Sequence, residues 1–223
     1  NDQDVKSVTT GKQGAFYGMS SESIFVDHST VSATVSRELS DVARQKGFCF
    51  IDAPVSGGQV GAENGQLTVM CGGDRKPYEQ VTDLISAYAK SCKLMGSSGS
   101  GQLTKMVNQI CIAGLLQGLS EGLIFSEKAG LDTELVIDVI SKGAAGSWQM
   151  ENRGKTMAKN EFDFGFAVDW MRKDLGICLA EGNKLGAPLQ ITALIDQFYK
   201  DVQYMNGGRW DTSSLIARLR RLS

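Results

Sequence analysis

One histidine, His28, is all the imidazole this 223-residue chain offers. A zinc site built on histidine has too few ligands, and a Ser-His-Asp or Cys-His arrangement would rest on that residue alone, so no metal is expected. Disulfide chemistry is equally poorly supplied. The five cysteines, Cys49, Cys71, Cys92, Cys111 and Cys178, are odd in number and scattered, with no CxxC spacing. Cys49, Cys71 and Cys111 sit among apolar neighbours, as buried structural thiols do. That usage argues against a disulfide framework and for a reducing, cytoplasmic setting, with a mitochondrial matrix also compatible. An excess of either charge is lacking as well: 23 Lys plus Arg against 25 Asp plus Glu leave a net charge of -2. A nucleic-acid binder normally shows a basic surplus, so no nucleic-acid partner is expected. The basic cluster Arg218, Arg220 and Arg221 reads as a cationic last helical turn. No run of about 18 apolar residues exists, so no membrane span is expected. The most apolar stretch, Ile110 to Leu119, is broken by Gln117 and closed by Ser120-Glu121, and reads as a buried helix.

What is present has a globular balance, 42% hydrophobic and 22% charged, enough for one large or two smaller domains. Asn1-Asp2 can cap a short helix carrying Val5 and Val8. Ile24 to Asp27 is a short apolar run ending in a carboxylate, as a buried parallel strand would. Ser29-Thr30 closes it and can cap the helical stretch Val31 to Lys46, which stops at Gly47. Phe48 to Asp52 and Leu67 to Cys71 read as further strands, Pro77 to Lys90 as a helix, and Cys92 to Met95 as a last strand. Strands alternating with helices imply βα units and a mostly parallel sheet. After the glycine–serine run Gly96 to Gly101 the pattern is helical throughout, near 102–129, 132–142, 147–158, 168–186, 188–204 and 212–221. The expected layout is therefore part of an α/β domain over residues 1–97, then an all-helical domain over 98–223, joined by a long helix. Gly114, Gly118 and Gly122 line one face of that helix. Each costs roughly 1 kcal/mol relative to alanine, which makes sense if another helix approaches closely there.

Three constellations carry possible chemistry. Asp52-Ala53-Pro54-Val55-Ser56-Gly57-Gly58 follows a strand directly. Ligands in open α/β sheets bind beyond the carboxyl ends of strands. Ser56, Gly57 and Gly58 offer one hydroxyl and unobstructed N–H groups, a cradle for a carboxylate or else a plain tight turn. In the second, Gly101 to Gln109, Lys105, Asn108 and Gln109 stand at i, i+3 and i+4 and share a helix face with Ile112 and Leu116. A lysine on an apolar face either snorkels or is functional. Burial would lower its pKa toward neutrality, as a general acid/base requires. The third, Phe164 to Leu175, has aromatics leading into a helix charged in its first turns, which also describes an exposed amphipathic helix with an aromatic staple. Gly143 to Arg153 is a further candidate for lining a pocket.

Taken together and in order, these residues resemble the 3-hydroxyisobutyrate dehydrogenase family of β-hydroxyacid dehydrogenases, related to 6-phosphogluconate dehydrogenase. The Asp52–Gly58 and Gly101–Lys105 segments, about fifty residues apart, are strongly specific as a pair. The resemblance implies a Rossmann-like parallel sheet followed by a helical domain, with NAD or NADP as cofactor and a small carboxylate substrate. It implies a homodimer or homotetramer formed through the helical domain. It also implies roles: Lys105 as the acid/base residue, and Ser56, Gly57 and Gly58 on the substrate carboxylate. Asn108 or Gln109 would fix the substrate, Phe166 would line the pocket, and Ser29, Thr30 and Lys173 would lie at the cofactor. Gln109 stands where many members carry a second asparagine. The family's opening GxGxxG turn does not occur in the chain. By the family layout, roughly two βα units at the front of the nucleotide-binding domain are expected to be absent. Two further readings compete: a catalytically silent helical dimerisation module, and a related imine or phosphosugar-acid reductase. The first is favoured by the glycine stripe; the second is opposed by Lys105 and by the lack of basic residues near Ser56.

Overall fold

The computed structural model describes residues 1–222. The chain divides into two compact units, one from Asn1 to Asn108 and one from Gln109 onward.

The first unit opens with helix α1 (Asp2–Thr10), capped as expected by Asn1, whose side chain accepts the Asp4 N–H. Strand β1 (Ile24–Asp27) follows, then helix α2 (Ala33–Gln45). Its cap is Ser32, which accepts the Val35 N–H, and not Ser29 or Thr30. The physical reason lies in the intervening segment. The Ser29 N–H is taken by the Asp27 carboxylate and the Val31 N–H by the Gln102 side chain, so the chain cannot turn helical until residue 33. Strands β2 (Cys49–Asp52), β3 (Val55–Ser56), β4 (Leu67–Gly72) and β5 (Ala89–Gly96) complete a five-stranded sheet, with helices α3 (Gly58–Glu63) and α4 (Arg75–Ser86) between them.

β1 pairs with β2 in parallel, Ile24 facing Cys49 through to Asp27 facing Asp52, and β4 pairs with β5 in parallel. Between these two βα pairs the direction reverses: β4 runs antiparallel to β2 and to β3. The mostly parallel sheet expected from the pattern is thus corrected to a mixed one. The reversal happens between β3 and β4, where Gly57, Gly58 and Gly65 all adopt positive φ on either side of and at the start of the short helix α3, which turns the chain back. Alternation along β2 sends Phe50 to one face and Ile51 to the other. Phe50 joins Phe16, Leu39 and Phe48; Ile51 joins Val69, Cys71 and Ile85.

The long helix α5 (Ser100–Lys128) leads into the second unit, which adds α6 (Thr133–Ile140), α7 (Trp148–Ala158), α8 (Val168–Leu185), α9 (Gln190–Tyr204) and α10 (Leu215–Leu222). Leu116, Leu123, Met157, Met171, Leu175, Ile195, Tyr199 and Leu215 form its core. Of the three C-terminal arginines, Arg218 pairs with Asp201, while Arg220 meets Glu127 and the terminal carbonyls of α7 at Met157 and Ala158.

α5 corrects one expectation, that Cys111 is buried. By length and composition it does qualify as a membrane-crossing helix, with a mean hydropathy of 1.2 over its most apolar window. Ala113, Leu116, Leu119 and Leu123 on one face of it are buried in the helical core. On the opposite face, a Cβ added at Gly114, Gly118 or Gly122 would meet nothing within 4 Å, so among the described residues nothing packs closely on the stripe. Cys111 falls on that same open face, between Val107 and Leu115 at one-turn spacing, and is exposed rather than buried.

Candidate active site

Ser56 ends β3, half-buried, and the chain then turns through Gly57 at φ 132° and Gly58 at φ 61°. Both angles lie where only glycine is comfortable, and a Cβ at Gly57 would come within 3.1 Å of the Leu67 side chain. The Ser-Gly-Gly run is therefore dictated by backbone shape and leaves its amides unshielded by side chains. Gly57→Ala is expected to lower stability by about 1–2 kcal/mol, read as a shift in denaturant midpoint.

Directly upstream, Asp52 is fully buried at the end of β2. Its Oδ1 accepts the Gly99 N–H at 2.7 Å and its Oδ2 the Gln102 N–H at 3.1 Å, which ties the start of α5 to the sheet. Burial pushes the Asp52 carboxyl up from the usual carboxylate range, while these backbone hydrogen bonds pull it back. Gln102 is also fully buried. Its Oε1 accepts the Val31 N–H at 3.1 Å and its Nε2 donates to the Ser29 carbonyl at 2.8 Å. Ser29 and Thr30, both half-buried, are thereby fixed just beyond the end of β1. One turn along α5 from Gln102 stands Lys105, only 6% exposed, and Asn108 follows three residues later. The lone histidine is structural in character: its Nδ1 lies 2.7 Å from the Ala53 carbonyl oxygen and its Nε2 2.9 Å from the Tyr88 hydroxyl.

The remaining candidates belong to the second unit. Gln109 is buried and donates through Nε2 to the Asp174 carboxylate at 2.6 Å; the other Asp174 oxygen lies 2.8 Å from the Lys173 amine. Phe166 is half-buried against the helical core, and its N–H is held by Asp211. Asp174 lies within the Phe164–Leu175 constellation but carried no expected role of its own. The signal for it was present, since Met171, Asp174, Leu175 and Cys178 share one inward helix face, and an acid there calls for a partner just as Lys105 does. For Gln102 and Asp52 the tie between segments was hidden for a different reason. Their partners lie far away in sequence, at separations of 71 and 47 residues. Among the described residues no group of three His, Cys, Asp or Glu side chains is placed to hold a metal ion.

The residues present at the end of β1 fit a dinucleotide cofactor. Asp27 Oδ2 is buried without a hydrogen-bond partner, an acceptor at the strand end whose other oxygen holds the Ser29 N–H. Comparison with known proteins agrees. Residues 1–96 match the model for the NAD-binding domain of 6-phosphogluconate dehydrogenase, and residues 99–219 that for the NAD-binding region of NADP-dependent 3-hydroxyisobutyrate dehydrogenase. The class is that of NAD(P)-dependent hydroxyacid dehydrogenases.

The chain belongs to the 3-hydroxyisobutyrate dehydrogenase family. It is 58% identical to an uncharacterised oxidoreductase of Shewanella frigidimarina over 99% of its length, spanning 76% of that protein. It is 41% identical to a mitochondrial 3-hydroxyisobutyrate dehydrogenase-like protein of Arabidopsis thaliana over 95% of its length, spanning 63% of that protein. Among solved structures it resembles Mycobacterium tuberculosis 3-hydroxyisobutyrate dehydrogenase with L-serine, at 27% identity and a TM-score of 0.86, covering 98% of this chain and 76% of that one. The match over residues 1–96 lends no support to the expected absence of the front of the nucleotide-binding domain.

Proposed function

We propose that this dehydrogenase acts on a small β-hydroxy acid or its semialdehyde, with Lys105 as the general acid/base. The observation that carries the reading is the burial of Lys105 one turn into α5, a helix whose start is bonded to the strand leading into the Ser56–Gly58 loop. A buried amine supplies a proton carrier shielded from bulk water. The Lys105 Nζ takes the substrate hydroxyl proton during oxidation and returns it during reduction. The Ser56 hydroxyl and the Gly57 and Gly58 N–H groups hold the carboxylate. Asn108 or Gln109 fixes the substrate beside the lysine; the Gln109 amide nitrogen also donates to Asp174. Hydride exchange is the chemistry a bound NAD or NADP supplies. Ser29 and Thr30 would contact it from the first unit. For Lys173 at the cofactor and Phe166 at the pocket, family resemblance is the support. L-serine, named with the mycobacterial relative, is itself a β-hydroxy acid. The test is turnover of wild type and Lys105→Ala on 3-hydroxyisobutyrate, tartronate semialdehyde, succinic semialdehyde and glyoxylate. Unchanged turnover in the variant removes the lysine from the reaction.

The reading extends to assembly and setting. The open face of α5 carries Val107, Leu115 and Phe125, all exposed, beside the glycine stripe. A second copy of the chain is the proposed occupant, giving a homodimer or homotetramer through the helical unit. Gly118→Leu is expected to shift the protein to monomer in light scattering; an unchanged oligomer mass excludes this face. The odd, scattered cysteines without CxxC spacing support the proposed cytoplasmic setting.

A further inference from the structure

We infer that Asp52 and Gln102 are positioning residues for the reaction, setting the place of Lys105 and of the Ser29–Thr30 segment through the first turn of α5. The inference rests on the acid/base reading of Lys105.

A helix start has N–H groups with no partner in the helix, and a nearby serine is the usual remedy. Serines stand at 97, 98 and 100, yet the caps come from Asp52, 47 and 50 residues away, on the strand that leads into Ser56. A buried carboxylate is a costly device for a task a local hydroxyl performs, so its use points to a fixed position rather than to helix stability alone. The junction is packed to backbone contact. A Cβ at Gly72 would stand 2.6 Å from Asp52 Oδ1, and one at Gly101 would stand 2.3 Å from the Met70 carbonyl oxygen. At both places only glycine fits. The same first turn carries Gln102, whose side chain grips both the Ser29 carbonyl and the Val31 N–H. One helical turn thus joins the strand preceding the Ser56–Gly58 loop, the Ser29–Val31 segment and, three residues further on, Lys105.

The two residues act on different segments, which separates them kinetically. Asp52→Asn replaces one acceptor oxygen by an N–H₂ group, so one first-turn N–H loses its partner and the helix start moves. The expected result is a fall in kcat of about 10- to 100-fold, the scale of an ångström-sized misplacement of a reacting group. The KM for the dinucleotide should stay within about twofold. Gln102→Leu releases the Ser29–Val31 segment, so the dinucleotide KM should rise about tenfold while kcat stays within about twofold. Assays use the full-length protein with NADH or NADPH and glyoxylate or succinic semialdehyde, whichever pair wild type turns over fastest. Rates are normalised to the folded fraction from circular dichroism. A merely structural role would lower the melting temperature and leave the folded fraction's kinetics unchanged in both variants. Should Asp52→Asn fail to fold, Gln102→Leu carries the test through the same split. Lys105→Ala is run alongside. If it is inactive while Asp52→Asn keeps wild-type kcat and Gln102→Leu keeps wild-type KM, the positioning roles are overturned. If Lys105→Ala is itself fully active, the acid/base reading has failed instead.

Discussion

Lys105→Ala is expected to lower turnover by roughly 10²–10⁴, the range that losing a general acid/base commands. Alanine removes the only atom at this position able to carry a proton, and helix propensity favours it, so α5 should persist. The Ser56–Gly58 loop, which is proposed to hold the carboxylate, is untouched, so KM for the acid should change far less than kcat. Lys105→Arg sharpens the test. Arginine keeps the positive charge but does not release its proton in a protein, so it would preserve electrostatic attraction while failing in proton transfer. If Lys105→Arg is as slow as Lys105→Ala, the lysine moves a proton. If it recovers most of the rate, the charge alone matters and the acid/base role is lost.

Legibility in the sequence divided by distance along the chain. Helix and strand periodicities are local, and β1, β2, β4, β5 and the helices α1, α2 and α4 to α10 all lie where periodicity places them, within a few residues. The two-residue β3, the six-residue α3 and the three-residue 3-10 helix Ala15–Tyr17 escaped, being too short to show a period. The side-chain bonds that join segments were not legible. Nothing near Asp52 reveals that its partners are Gly99 and Gln102, and nothing near Gln109 reveals Asp174. Nor does local pattern tell an apolar stripe that is covered from one left open, which is why Cys111 read as buried. Lys105 was legible because a cation on an apolar helix face is anomalous by local criteria alone.

Asp211→Ala is the stability change with the largest expected effect, roughly 3–5 kcal/mol, since it breaks a buried ion pair from one side. Asp211 is only 2% exposed and answers three groups at once. One oxygen accepts the Phe166 N–H at 2.9 Å; the other accepts the Ser213 N–H at 3.0 Å and lies 3.3 Å from the Arg153 guanidinium. The arginine is itself held over the Trp148 and Phe164 rings. Gly165 passes so close that a Cβ there would overlap the Asp211 carboxylate, at 2.0 Å. Alanine leaves two N–H groups without acceptors and one guanidinium without its counter-ion. Asp211→Asn, which keeps one acceptor oxygen, should cost distinctly less, and the order Ala below Asn below wild type is read from urea midpoints. Arg153→Met combined with Asp211→Ala should lose less than the sum of the single changes, because removing both partners no longer strands a charge. Phe166 takes its backbone position from the same carboxylate, so in Asp211→Asn the proposed pocket should loosen and the substrate KM should rise while the protein remains folded. An alanine variant less than about 1 kcal/mol below wild type would mean that water readily replaces the carboxylate, a result at odds with its burial.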